Sequence, residues 1–320
     1  MTTQSHSAAD TPRPTVSPFR SRTRSRKPWW ASKSVPWLFA VPGVLVIIVL
    51  RYLPSVAGGV FAFTDWDGLS PDVNFVGVDN FQTVFSNPIT ADAVWHTLVL
   101  GFVFVLIVNI VGLLLALALH RALRTRNILR AIFFLPFALS QLATAFVWQF
   151  IFAYDGPLNT ILGAVGLEGL QKAWLGDPTL AMPSVIVVMV WQYAGLAMII
   201  YLAGLEGIPE EIHDAASVDG AGPVREFWNV TLPLLAPAIT ISLTLTLIFG
   251  LGAFDQILGL TNGGPVNATQ TIATQVWQQT FVYSNFAQGT ALAVVFTAIV
   301  TLFAVIQLVV LRIREERLLK

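Results

Sequence analysis

The sequence predicts an all-α, polytopic membrane protein with six transmembrane helices. Three observations carry that prediction. The 320 residues are 55% hydrophobic and only 11% charged, with a mean hydropathy of +0.70, whereas soluble domains carry about 25% charge. Six apolar runs reach the roughly 20 residues needed to cross a bilayer. Alternating their connecting loops across a membrane collects 16 of the 18 basic residues on one side, the asymmetry that marks a cytoplasmic face.

The runs lie near Trp37–Phe63, Val94–Leu119, Leu129–Phe152, Leu180–Ala203, Ala238–Leu260 and Phe286–Leu311. Pro42, Pro136 and Pro183 fall inside them; such breakers are tolerated where neighbouring helices satisfy the freed carbonyls. Residues 1–35 are rich in Ser, Thr, Pro and Arg and read as a disordered basic tail. Within it, Arg20 to Lys27 suits anionic lipid headgroups and equally serves as a topology signal. Residues 36–313 form the membrane domain, with a polar loop at 205–237, and 314–320 form a short C-terminal tail. The second loop carries Arg121, Arg124, Arg126 and Arg130, the fourth Arg225, and the C-terminal end Arg312, Arg314, Arg317 and Lys320. Lys172 falls on the other side, and Arg51, inside the first run, snorkels outward. Both termini are therefore expected in the cytoplasm. The outer loops lean acidic, and Trp66, Trp95 and Trp174 fall near the outer interface, where indoles anchor well. Contact with a soluble partner outside is the sharper alternative for them.

Several chemistries are unsupported. Zero net charge gives no case for a nucleic-acid partner, and the absence of cysteine excludes disulfides and thiol catalysis. His96, His120 and His213 lack metal-ligand spacing, and no paired-carboxylate or Ser/His/Asp arrangement is interpretable. The chain is expected to be neither an enzyme nor a metal protein. It has no G-x-x-x-x-G-K-[ST] motif, so ATP has no P-loop here.

Glu210 to Pro237 is the informative exception to this apolar chain. Pro209 starts a helix, and Glu210, Glu211 and Asp214 place negative charge near its N-terminus, where the dipole favours it. Ala215 and Ala216 are small and helix-favouring. Asp219-Gly220 marks a turn followed by Ala221, and Pro223 opens a second short helix, Val224 to Val230. Phe227, Val230 and Leu234 recur at helical spacing and give it an apolar face; Pro233 and Pro237 stop it. A helix–turn–helix with small residues at its bend lets another protein's backbone approach closely. An amphipathic loop resting on lipid is the plain alternative, but its acidic first half suits anionic lipid poorly.

This segment resembles the EAA motif of the permease subunits of binding-protein-dependent ABC importers, which runs E-A-A, D-G-A, F, I and L-P. The matching residues are Asp214-Ala215-Ala216, Asp219-Gly220-Ala221, Phe227, Val230 and Leu232-Pro233. Asp214 departs from the pattern by one methylene, keeping the charge and shortening its reach. Phe63-Thr64-Asp65-Trp66-Asp67, Phe75-Val76-Gly77 with Asn80-Phe81, and Leu260-Thr261-Asn262-Gly263-Gly264-Pro265 are similar to the carbohydrate branch, the relatives of the maltose and glycerol-3-phosphate permeases. The resemblance implies a type I importer permease fold in the bacterial plasma membrane. It implies a second homologous permease in a heterodimer, and a cytoplasmic ATPase dimer that binds the ATP and Mg and seats the loop as a coupling helix. It further implies an extracytoplasmic binding protein that delivers a carbohydrate.

Polar groups inside the apolar runs are expensive, and each is a functional candidate. Trp191-Gln192-Tyr193 in the fourth run, Asp255 and Gln256 in the fifth, and Gln141, Trp148 and Gln149 in the third supply the aromatic rings and amides that suit a sugar. The resemblance implies the same for the segments before the loop and in the fifth run, although some such importers keep a solute site in only one permease. Hydrogen bonding between helices is the competing role for each. A secondary transporter, a membrane-embedded enzyme and an importer of a polyol phosphate or peptide are the other readings. The first would show ion-coupling residues and repeats, and the second a catalytic cluster.

Overall fold

The computed structural model describes residues 35–120 and 124–318. The predicted basic tail ahead of Val35, including Arg20 to Lys27, lies outside the described residues, as do Arg121 and Lys320. Among the described residues the structure is helical, with one isolated antiparallel bridge between Thr64 and Phe75.

The chain divides into residues 1–54 and 55–320. In the first unit, α1 (Val35–Ile47) continues into a π-turn at Ile48–Tyr52 that carries Arg51. In the second unit, α2 (Leu53–Phe61, which begins at the boundary) and α3 (Asp79–Ser86) precede the long α4 (Pro88–His120). Then follow α5 (Arg126–Ala138), α6 (Gln141–Ile151), α7 (Pro157–Ala164) and α8 (Pro178–Glu206). The polar loop gives α9 (Glu210–Val218), α10 (Pro223–Glu226) and α11 (Leu232–Leu234). The chain closes with α12 (Ala236–Leu251), α13 (Asp255–Leu260), α14 (Ile272–Trp277) and α15 (Phe286–Leu318).

Among the described residues four helices are long and apolar enough to cross a membrane: Ala40–Phe61, Pro88–His120, Pro178–Glu206 and Phe286–Glu316. Two further bent helix pairs, each counted as one span, would bring the total to the predicted six. The third run is not the continuous helix the sequence predicts. It breaks between α5 and α6 with a bend of 98°. At about 1.5 Å per residue neither half spans the roughly 30 Å apolar core. Pro136 lies inside α5, and Leu139 and Ser140 turn extended, which is why the helix cannot run through. The fifth run also differs. It ends at Leu251, and Gly252–Phe254 separate it from α13, so Asp255 and Gln256 open a new short helix instead of extending the span. Its entrance is a 69° bend between Pro223–Leu234 and α12. The preceding helix ends one residue past Pro233, at Leu234, and a π-turn at Phe227–Thr231 widens it just ahead of the proline, relieving the clash of the ring with the carbonyl four residues back. Pro237 does not stop that helix as expected; it lies in the first turn of α12, where a proline is tolerated.

Helix α8 is the centre of the second unit, packed against α4, α5 and α12. The core there is Leu100, Phe104, Val108, Val185, Met189 and Leu251 with their neighbours. Between membrane helices apolar surface alone gives little preference for one contact over another, so close backbone approach and hydrogen bonds decide the packing. Gly112 of α4 faces Ala197 of α8 so closely that an added Cβ would come within 2.5 Å of the alanine methyl. At Gly195 of α8 a Cβ would meet the Phe133 carbonyl oxygen of α5 at 2.0 Å. A single amide pins the remaining contacts. Asn109 of α4 donates to the Val105 carbonyl at 2.8 Å and to Thr246 Oγ1 of α12 at 2.9 Å. Its Oδ1 accepts from Tyr201 of α8 at 2.7 Å and from Ser242 of α12 at 2.6 Å. All four hydrogen-bonding positions of the buried amide are filled.

In the loop after α2, Asp65 accepts from the Asn74 backbone N–H and side-chain amide, and Asp67 from the backbone of Ser70 and Leu69. These bonds hold both carboxyls below the usual carboxylate range. The two acids are occupied in folding their own loop.

Two substitutions test this packing. Asn109→Ala leaves the Tyr201 and Ser242 hydroxyls without their shared acceptor, while Thr246 keeps its bond to the Ser242 carbonyl, and each buried orphan costs about 1–3 kcal/mol. Gly195→Val drives a side chain into the α5 backbone, at about 1–3 kcal/mol or more. Both are expected to lower the thermal unfolding midpoint in detergent, and unchanged midpoints contradict the account.

Candidate functional site

The polar loop folds as the helix–turn–helix the sequence predicts, and its bend is closed by backbone geometry. Gly220 has φ +75°, a conformation that costs residues with a Cβ roughly 1–2 kcal/mol. The Ala221 N–H reaches back to the Ala216 carbonyl at 3.0 Å, and the Gly220 N–H to Ser217 at 3.0 Å. Those two bonds form a Schellman motif, which satisfies the last carbonyls of α9. Pro223 then opens α10 at its first turn, where its missing N–H costs nothing.

The loop presents one face and buries another. Ala216 is buried, and Phe227, Val230 and Leu234 are half-buried. Glu210, Glu211, Asp214, Ala215, Asp219 and Gly220 are exposed, Ala221 and Pro233 partly so. Three large apolar side chains, Val218, Val224 and Trp228, are also exposed, Val218 at 87%. Exposed apolar side chains on both arms, beside an acidic helix and a bare glycine bend, make a surface suited to a protein. Sequence reading missed the brace across the bend: His213 Nδ1 of α9 lies 2.6 Å from Glu226 Oε1 of α10. Their spacing of thirteen residues is not helical, so only the fold brings them together. Arg130, read only as a topology charge, pairs with Glu206 at 2.7 Å and ties α5 to the end of α8 that leads into the loop.

The solute candidates gather elsewhere, around the break between α5 and α6. Gln192 is buried and donates to the Leu139 carbonyl at 3.2 Å, while its own Oε1 accepts from Gln256 at 3.3 Å. Gln141 donates to the Tyr193 hydroxyl. Tyr193 is buried among Phe104, Phe137 and Phe249, with ring centroids 5.6, 5.7 and 5.1 Å away. These four side chains therefore form a connected polar network that serves the broken helix. Asp255 is half-buried at the first turn of α13. Trp191 stays 41% exposed and meets the half-buried Trp148 edge to face at 5.5 Å. Gln149, beside it, is exposed. Among the described residues no group of three His, Cys, Asp or Glu is placed to hold a metal.

Comparison with known proteins adds a lineage to this geometry. Residues 108–319 match the family described as binding-protein-dependent transport system inner membrane component. The chain is 36% identical, over 87% of its length and 94% of the relative, to the probable starch degradation products transport system permease protein AmyD of Thermoanaerobacterium thermosulfurigenes. It is 32% identical, over 85% of its length and 93% of the relative, to the multiple sugar-binding transport system permease protein MsmF of Streptococcus mutans. The fold is similar to that of a chain in the crystal structure of a bacterial ABC transporter involved in the import of the acidic polysaccharide alginate. That match has a TM-score of 0.74 at 23% identity and covers 89% of this chain and 96% of the other.

Because His213 and Glu226 brace the two arms of the loop, His213→Ala is expected to speed hydrogen exchange in α9 while α4 and α8 stay protected. Unaltered α9 exchange contradicts the brace.

Proposed function

Since the chain belongs to the binding-protein-dependent transport system inner membrane component family, we propose that it is the membrane-spanning permease of an ATP-driven importer for a sugar or oligosaccharide. The observation that carries this reading is the exposed helix–turn–helix following α8, with its closed glycine bend and its acidic and apolar face. This chain has no P-loop sequence, so a surface of this kind is where a separate ATPase would dock. Relatives named as permeases for starch degradation products and for multiple sugars support the carbohydrate.

In this reading the loop lies in the cytoplasm with both termini, as the basic-residue asymmetry requires. A cytoplasmic ATPase dimer holds the ATP and Mg and receives Glu210, Glu211, Asp214 and the small residues Ala215, Gly220 and Ala221, while the buried Ala216 lets the loop pack closely on its own chain. Asp219 and Phe227 shape the bend and the packed face, and Pro233 redirects the chain toward α12. A second homologous permease and an extracytoplasmic binding protein complete the machine, and lipid surrounds it. The functional boundaries follow: a basic tail at 1–35, the permease domain at 36–313 with its coupling loop at 205–237, and a tail at 314–320.

The mechanism is rigid-body switching of packed elements between two arrangements. Closure of the ATPase dimer on ATP draws the paired coupling helices together. The end of α8, tied to α5 by Arg130–Glu206, moves with the loop. Because α8 is buried among α4, α5 and α12, the push is transmitted as a tilt of packed helices. Solute then passes a pathway to which Trp191, Trp148, Asp255, Gln141, Gln192, Tyr193 and Gln256 contribute, the aromatic rings meeting it and the amide network shaping the bend beside it.

Gly220→Leu tests the reading. The space around Gly220 is open, so the cost is the backbone conformation, about 1–2 kcal/mol confined to the bend. The variant is expected to insert and to retain basal ATPase activity in its assembled complex while losing most uptake per ATP hydrolysed. Normal uptake contradicts the coupling role.

A further inference from the structure

At the end of α8 away from the coupling loop lies a cavity of about 530 Å³ that no candidate residue of the α5–α6 network occupies. Its size falls within the roughly 300–1,000 Å³ of small-molecule sites. Its floor is apolar: Phe152, Leu175 and Leu260. Gln149 and Tyr154 stand in its wall, both exposed, and neither side chain makes a hydrogen bond among the described residues. The contrast with Gln141, Gln192 and Gln256 is the point of departure. Those amides are occupied with each other, with Tyr193 and with the Leu139 carbonyl, whereas Gln149 and Tyr154 keep their donors and acceptors free beside open volume.

The walls are held in place. Asn159 of α7 is 2% exposed and donates to the Tyr154 carbonyl and to the Lys172 carbonyl, each at 2.9 Å. Its Oδ1 accepts from Trp174 Nε1 at 2.9 Å and from the Lys172 N–H at 3.3 Å. One saturated amide thus fixes the Tyr154 wall against the Ala173–Gly176 wall. Ser184 of α8 donates to the Trp174 carbonyl at 3.1 Å, joining that wall to the central helix. The third side, Thr261 to Pro265, is closed by Thr269, which donates to the Gly264 carbonyl at 2.7 Å. The backbone walls are preformed, so a ligand needs to order only the Gln149 and Tyr154 side chains on binding.

Among the described residues no charged side chain lines the cavity. Nearby Asp177 is occupied in capping α8 through Thr179. An apolar floor with a phenol and an amide above it fits a sugar ring, whose C–H face packs on hydrocarbon and whose hydroxyls take neutral hydrogen bonds. An anionic sugar would find no cation in the lining to offset its desolvation.

We propose that this cavity is a reception subsite for one ring of an uncharged saccharide, with Tyr154 and Gln149 as its hydrogen-bonding residues. The proposal rests on the carbohydrate-importer reading and adds the place and the charge class of the solute.

The chain has no cysteine, so Ala173→Cys, on the wall facing Tyr154, gives a single thiol. Its alkylation by a membrane-impermeant maleimide is followed in the assembled transporter in nanodiscs. The probes are a mixture of maltotriose, cellotriose and N,N′,N″-triacetylchitotriose, and, separately, trigalacturonate. The neutral mixture is expected to protect the thiol and trigalacturonate is not. Tyr154→Phe, which keeps the ring, should weaken the protecting affinity about fivefold, the size of one neutral hydrogen bond. Tyr154→Ala with Gln149→Ala should abolish protection at an unchanged thermal midpoint. Absence of protection, equal protection by trigalacturonate, or protection that survives the double substitution overturns the subsite. Uptake of the same neutral probes by the wild-type transporter with its binding protein is scored separately. Uptake without protection leaves the importer reading standing and removes only the subsite, whereas no carbohydrate uptake at all removes the importer reading.

Discussion

A polar group inside an apolar solvent has no water to return to, and this constraint organises the molecule. Asn109 meets it most completely. Its amide sits in the middle of α4 and takes hydrogen bonds from α8 and α12 as well as giving one to α12. Small residues then let the backbones close in, as at Gly112 and Gly195. Moving α8 independently of its neighbours would strand at least two hydroxyls and an amide, each at a cost of about 1–3 kcal/mol. The helices are therefore bound to move together, and a push at one end of α8 has a rigid element to travel along.

The same constraint explains the break between α5 and α6. A helix that turns through 98° frees carbonyls, and the Gln192 amide covers one of them. Asn159 repeats the device at the other end of α8, where it joins two stretches of loop instead of three helices. At these two places a side-chain amide satisfies what the bend or loop exposes.

Much of this was legible in the sequence. The six apolar runs, the charge asymmetry and the helix–turn–helix each depend on local pattern, and local pattern survives into the fold. Pro209 before the first helix, Gly220 at the bend and Pro223 at the second start all stand where their backbone preferences put them. The breaks were not legible. Pro136 sits inside α5 and Pro183 inside α8, yet only the first is followed by a sharp turn, because partners elsewhere in the chain decide whether freed groups can be satisfied. The pairing of His213 with Glu226 and of Asn109 with Tyr201 joins residues far from helical register, so no periodicity announces it. A lone amide in an apolar run such as Asn109 was the available signal, since nothing but a partner makes it tolerable.

The account turns on the loop after α8 being the surface through which a separate ATPase drives the permease. Ser217→Cys, exposed beside the bend, places a single thiol in a chain that has none. In membranes containing the assembled transporter, a bifunctional thiol reagent is expected to join this position to the ATPase. Its yield should change when ATP is bound, while a thiol at Tyr154 gives no such product. Failure of Ser217→Cys to cross-link to the ATPase, or its labelling from outside intact cells by an impermeant maleimide, would contradict the account.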